Sequence, residues 1–137
     1  MNRIRQMRKL EPNESAEFVV DAHDPNNAVG LVLRTAGTYH IAANPGDWWV
    51  DFYIPCKADG YSSFPWMVPY ESERRIARAN WFAASAYIQD QNQSFVIGKG
   101  WRGAPPADGE LICFANDSPK MYWNNWGRIR FSITRTA

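Results

Sequence analysis

The sequence predicts an all-β fold, a single-domain antiparallel β-sandwich of jelly-roll-like type, on three observations. Short apolar or alternating runs recur along the chain, clusters of turn-forming residues separate them, and no long stretch carries a helical period. Regular spacing of strand and turn is the pattern of a sandwich or barrel.

Taken in order, the first run is residues 17–22, closed by Asp24-Pro25-Asn26-Asn27. Runs at 29–34 and 38–43 follow, divided by Ala36-Gly37, and Asn44-Pro45-Gly46 leads into 47–54. Ala58-Asp59-Gly60 then opens a long connection. Residues 71–84 contain Glu-Arg-Arg-Ile-Ala-Arg-Ala, which is compatible with a helical turn, but the reading adopted is a loop entering a strand at 81–89. The turn at 90–93 precedes a run at 94–99, the segment 103–109 precedes 110–115, and the Asn116 segment precedes 128–135. In that last run Ile129, Phe131 and Ile133 are expected to face inward while Arg128, Arg130, Ser132 and Thr134 face water.

A chain of 137 residues with 45% hydrophobic and 15% aromatic content suits one domain with a sizeable core. Fifteen basic against 14 acidic side chains leave a formal charge of +1, which argues against a nucleic-acid partner. Arg3, Arg5, Arg8 and Lys9 make residues 1–15 read as a basic, solvated tail ahead of a domain at 16–137. No apolar run is long enough for membrane insertion and no signal-peptide core precedes the domain. The expected location is cytoplasmic, with release by a non-classical route as the alternative. Cys56 and Cys113 read as small buried hydrophobes, and export would open the alternative of one bridge between them. Asn13-Glu14-Ser15, Asn92-Gln93-Ser94 and Asn116-Asp117-Ser118 match the glycosylation triplet and are read as chance matches.

The chemistry concentrates in residues 116–127. Asp117 brings a carboxylate, Asn124 and Asn125 bring neutral amide oxygens, and backbone carbonyls can complete the roughly six to eight oxygens that Ca2+ takes. Pro119 and Gly127 suit the sharp bend that lets adjacent side chains reach one ion. On local chemistry alone, Asn and Asp stabilising a hairpin turn is an equally good account. The spacing is not that of the helix-flanked calcium loop, since Pro119 and Met121 stand where ligands would be required.

Gly109-Glu110-Leu111, Phe114, Asn116-Asp117, Tyr122, Asn124-Asn125 and Gly127, followed by Ile129, Phe131 and Ile133, resemble the C-terminal signature of calcium-dependent galactose-binding bacterial lectins of the LecA type. Gly46 with Trp48 or Trp49, and Phe95-Val96-Ile97-Gly98, resemble that family's Gly-Trp step and its strand ending in Ile-Gly, so the likeness spans roughly Phe18 to Arg135. The resemblance implies a β-sandwich lectin that binds Ca2+ through the Asp117 carboxylate, the Asn124 and Asn125 side chains, the Met121 carbonyl and a further carbonyl near Asp51. It implies a glycan partner, a galactoside first, whose adjacent hydroxyls complete the metal's sphere and hydrogen-bond Asp117 and Asn124. A homo-oligomer is implied as well, and weak shallow binding would gain avidity from one.

The chain departs from the family where the sugar is chosen. The family's loop after the Gly-Trp step supplies a His and a Gln, whereas residues 58–73 hold neither and offer Tyr61, Phe64 and Trp66. Trp66 and Trp123 are the candidate sugar-stacking platforms, with structural packing the commoner role for any one Trp. His23 and His40 lie far from each other and from any cysteine pair, giving zinc little support. Asp47, Asp51, Asp59 and Glu110 are the acids from which a glycosidase pair would be drawn, a choice only their spatial separation can decide. The expected class is a non-catalytic lectin; the alternative is a structural or interaction module that keeps the loop without binding sugar.

Overall fold

The run that ends the chain sets the architecture. In the computed structural model, which describes residues 7–137, Asn125–Arg135 is one strand whose Ile129, Phe131 and Ile133 are buried and whose Arg128, Arg130 and Ser132 are exposed. A period of two places alternate side chains on opposite faces, so one face of this strand is core and the other is solvated.

The strands are β1 (Arg8–Lys9), β2 (Ser15–Asp21), β3 (Asn27–Leu33), β4 (Tyr39–Ala43), β5 (Trp49–Asp51) and β6 (Ile54–Cys56). After a 3-10 helix at Pro65–Glu73 come β7 (Ala84–Ile88), β8 (Ser94–Val96), β9 (Gly100–Gly103) and β10 (Gly109–Ala115), then a 3-10 turn at Tyr122–Asn124 and β11 (Asn125–Arg135). One sheet runs β1-β3-β10-β7-β8 and the other β6-β5-β11-β4-β9, with β2 also paired to β11. All pairings are antiparallel except β1 with β3. The expected antiparallel β-sandwich is the fold observed.

Between the sheets lie Phe18, Val20, Leu31, Leu33, Ile41, Trp49, Phe82, Ile88, Leu111, Ile129, Phe131 and Ile133. Phe18 and Phe131 stack at 5.3 Å between ring centroids, and Trp49 meets Phe82 edge-on at 5.8 Å. Within the segment read as a tail, Leu10 belongs to this core, while Arg3 and Arg5 lie outside the described residues. Cys56 and Cys113 are both free thiols, the first half-buried and the second buried. Among the described residues no helix is long and apolar enough to cross a membrane.

Three expectations change. The run at 47–54 is two strands, because the chain reverses at Phe52-Tyr53 so that Asp51 pairs with Ile54. Phe52 makes that reversal with φ 58, a left-handed conformation rare for a bulky side chain and therefore invisible to turn signals. The run at 94–99 ends at Val96, and β9 begins at Gly100 and pairs with β4. The long loop contains a 3-10 helix over Pro65–Glu73, ahead of the Glu-Arg-Arg-Ile stretch; with Pro69 inside it and only Met67 buried, it has no apolar period to read.

Replacing Phe131 with Ala removes a ring that is 2% exposed and stacked on Phe18, and is expected to lower unfolding free energy by about 3 to 5 kcal/mol, measured by urea denaturation.

Candidate functional site

The site forms where β11 begins beside β5. Their register sets Asn125 opposite Asp51 and Gly127 opposite Trp49. Directly opposed residues in an antiparallel pair project to the same face, so the Asn125 and Asp51 side chains share one side of the sheet. Gly127 permits the close approach: its φ is 99, and a Cβ there would sit 2.8 Å from Trp49 Cα.

Asp117 completes the group from the end of β10. Its Oδ1 accepts from the Ser118 N–H at 2.8 Å, and its Oδ2 accepts from Asn125 Nδ2 at 2.9 Å. Asp51 accepts a short hydrogen bond from the Tyr61 hydroxyl. Asp117 is 2% exposed and Asp51 9%, and among the described residues no Lys or Arg forms an ion pair with either. Burial lifts the Asp117 carboxyl to about 6, with the neighbouring Asp51 charge adding to the rise and the Asn125 and Ser118 hydrogen bonds opposing it. Asp51 is raised too, again chiefly by burial, against the Tyr61 hydrogen bond. The Tyr61 phenol is pushed far up by its own burial and by Asp51.

Asn124 Oδ1 and Asn125 Oδ1 are buried and accept no hydrogen bond. The assignment of oxygen and nitrogen in Asn125 is fixed by chemistry, because its Nδ2 faces a carboxylate that only accepts. Unpartnered buried polar atoms are uncommon and each calls for a reason. Two buried carboxylates beside two orphaned amide oxygens form a donor set of the kind that suits a hard cation. Among the described residues no three His, Cys, Asp or Glu side chains converge, so the set is two acids plus amides rather than an acidic cage.

Asp51, Asp117 and Asn124 of this group line a cleft of about 610 Å³, with Asn125 tied to it through its hydrogen bond to Asp117. Asp51, Asp117, Met121 and Asn124 line it, and Trp66, Tyr70 and Trp123 are among its aromatic walls. Trp66 is 59% and Trp123 68% exposed, and Trp66 stacks on Phe64 at 6.4 Å with 6° between the planes. The Met121 carbonyl takes a long hydrogen bond, 3.4 Å, from the Asn124 N–H. All seven residues singled out in the sequence, Asp51, Trp66, Asp117, Met121, Trp123, Asn124 and Asn125, therefore meet in one place.

The other candidate acids lie elsewhere. Asp47 pairs with Arg130 at 2.9 Å, Asp59 accepts from the Lys99 N–H, and Glu110 stands near the start of β10; of the four only Asp51 lines the cleft. His23 approaches the Asn125 carbonyl through Nδ1 at 3.2 Å, while His40 sits on β4 opposite Arg102.

Sequence reasoning missed the scaffold behind the loop. Asn116 is fully buried; its Oδ1 accepts from the Ile76 N–H at 2.9 Å and its Nδ2 donates to the Ile76 and Asn80 carbonyls. Arg75 donates its backbone N–H to the Asp117 carbonyl at 3.1 Å, and its guanidinium donates to the Pro25 carbonyl, Asn26 Oδ1 and the Tyr122 hydroxyl. That guanidinium lies 3.6 Å from the Phe114 ring centroid. The one local signal was that Arg75 stands in an otherwise solvent-like charged stretch with an apolar Ile after it.

No known family profile matches the chain, and no curated protein matches it. Among solved structures the fold is similar to the N-terminal domain of EclA, described as a PllA-like lectin, with a TM-score of 0.61 and 18% identity over 88% of this chain and 94% of that one. The likeness is one of fold, and it agrees with the two-sheet β-sandwich described above.

Two outcomes are expected. Arg75→Met, which keeps length but deletes the charge-assisted hydrogen bonds, should lower stability by about 2 kcal/mol in chemical denaturation. The second concerns pH. A carboxyl raised from its ordinary 3.8 to about 6 favours the folded state when neutral, so its contribution is full below about 4 and disappears as pH rises through 6. In chelator, wild type should therefore gain about 2 to 3 kcal/mol relative to Asp117→Asn between pH 7 and pH 4, measured as the difference of their denaturation curves.

Proposed function

We propose that the protein is a calcium-dependent, non-catalytic carbohydrate-binding protein. The observation that supports this reading is the convergence of two unpartnered amide oxygens, Asn124 Oδ1 and Asn125 Oδ1, with the buried Asp51 and Asp117 carboxylates beside an aromatic cleft that Asp51, Asp117 and Asn124 line. Leaving two amide oxygens without a donor and two buried acids without a counter-charge is unfavourable, and a hard cation would offset both together. The Asp117 carboxylate, the Asn124 and Asn125 amide oxygens and the Met121 carbonyl would hold Ca2+, with a backbone carbonyl near Asp51 completing the protein's share. Calcium bound there supplies Lewis-acidic coordination positions for two adjacent hydroxyls of a sugar.

The chain's own residues do the remaining work. Asp117 and Asn124 present acceptors at the cleft floor for the hydroxyl protons, and bonds to an ionised acceptor are the stronger kind. Trp66 and Trp123 offer exposed faces for the apolar C–H side of a pyranose. Galactosides are the first ligands to test, on the resemblance of residues 109–133 to LecA-type lectins and the lectin-like fold. The absence of His and Gln from residues 58–73 favours, as a second reading, a structural or interaction module that keeps the calcium loop without binding sugar. A homo-oligomer would give shallow sites the avidity that a single one lacks.

Calorimetric titration of calcium into chelator-treated protein should show one site in wild type and none at millimolar metal in Asp117→Ala, and a glycan array should respond to the calcium-loaded wild type alone. Calcium binding without any glycan signal selects the second reading. No calcium binding by wild type sinks both.

A further inference from the structure

We propose that the Asp51 carboxylate, held by the Tyr61 hydroxyl, is itself the second anionic donor of the cation site, so that the site carries two negative charges matched to one divalent ion. This deepens the calcium reading and rests on it. The LecA resemblance implies only a backbone carbonyl near this position, where any side chain would serve. Here the side chain is an acid, and the fold directs it at the metal ligands.

The register carries the argument. Asp51 is directly opposite Asn125 across the β5–β11 pair, and opposed side chains lie on one face about 5 Å apart at Cβ. Asn125 in turn donates through Nδ2 to Asp117 Oδ2. Asp51 and Asp117 therefore flank the same buried amide, and both line the same cleft with Asn124. The independent sign of a ligand is Asn125 itself, 2% exposed, whose Oδ1 has no partner inside this group.

Structural alternatives for Asp51 do not account for it. It caps no helix, forms no ion pair among the described residues, and receives its one side-chain hydrogen bond from Tyr61. That bond occupies Oδ2 and leaves Oδ1 able to coordinate. Tyr61 is itself tied into the scaffold, its N–H donating to the Trp81 carbonyl at 2.9 Å. A ligating carboxylate oriented by a neighbouring hydroxyl is the arrangement by which outer groups fix metal ligands. Without a cation the two carboxylates repel; with a dication each stabilises the complex, so Asp51 has opposite effects on the two states.

The opposite signs give the test. In Asp51→Asn, calorimetry should show calcium affinity lowered by about a hundredfold, as expected when ligand charge falls, while the thermal midpoint in chelator rises above wild type. Tyr61→Phe keeps the charge and removes only the orienting hydroxyl, and should weaken calcium by about tenfold. Unchanged affinity in Asp51→Asn overturns the assignment, as does a lowered chelator midpoint in a variant that still folds, which marks Asp51 as a structural acid. Should Asp51→Asn not fold, Tyr61→Phe decides: wild-type affinity there overturns the proposal. Failure of wild type to bind calcium defeats the calcium reading as a whole, whereas the outcomes above defeat the role of Asp51 alone.

Discussion

Strand β11 hydrogen-bonds to β2, β4 and β5 along its 11 residues, and side chains on a strand alternate with a period of two. A slip of one residue would turn Ile129, Phe131 and Ile133 to water and bury Arg128 and Arg130. The hydrophobic effect therefore fixes the register at the C-terminal end of the strand, far from the site. Farther back the same strand pairs with β5, where burial of Trp49 opposite Gly127 goes with Asp51 opposite Asn125. The core thus decides the composition of the site, and Asp51 arrives beside Asn125 without any local preference for being there.

The geometry obtained in this way is electrostatically unfavourable on its own. Two carboxylates are largely shielded from solvent, and no basic side chain among the described residues pairs with either. Three hydrogen bonds help, from Ser118, Asn125 and Tyr61, but two amide oxygens remain without a donor. Arg75 brings a full positive charge close behind the loop, yet spends it on carbonyls, Tyr122 and the Phe114 ring. A fold selected only for stability would have placed that charge against Asp117. The arrangement instead leaves both acids without a counter-charge, which is the feature the proposed cation would answer.

What could be read from the sequence follows the range over which each feature is determined. The alternation of 128–135 is local, and its strand and faces emerged from it directly. Asp117, Asn124 and Asn125 lie within nine residues, so their meeting in a loop was legible. Asp51 was legible as a position but not as a carboxylate, because its facing depends on a pairing across 74 residues. The Phe52 reversal was hidden because an aromatic residue at positive φ breaks the turn rules, and such strain is held by surroundings: Phe52 N–H donates to the Asn124 carbonyl and its own carbonyl accepts from Trp126 Nε1. The 3-10 helix escaped because its proline-broken sequence has no period, although it carries Trp66 to the cleft.

Phe52 also shows why the two halves of the site belong together. Its bonds to Asn124 and Trp126 lash the β5–β6 reversal to the loop that carries the amide donors, while Asn116 and Arg75 lash the other side of that loop to residues 75–80. Donors held from both sides need little reordering when a ligand arrives, and the entropy otherwise lost on ordering them is already met by the fold. The aromatic walls are different, since Trp66 and Trp123 remain largely exposed and make few polar commitments. On the proposed function, the tethered oxygens would set the charge and geometry that a ligand must match, and the exposed aromatic faces would set how much of its apolar surface is covered.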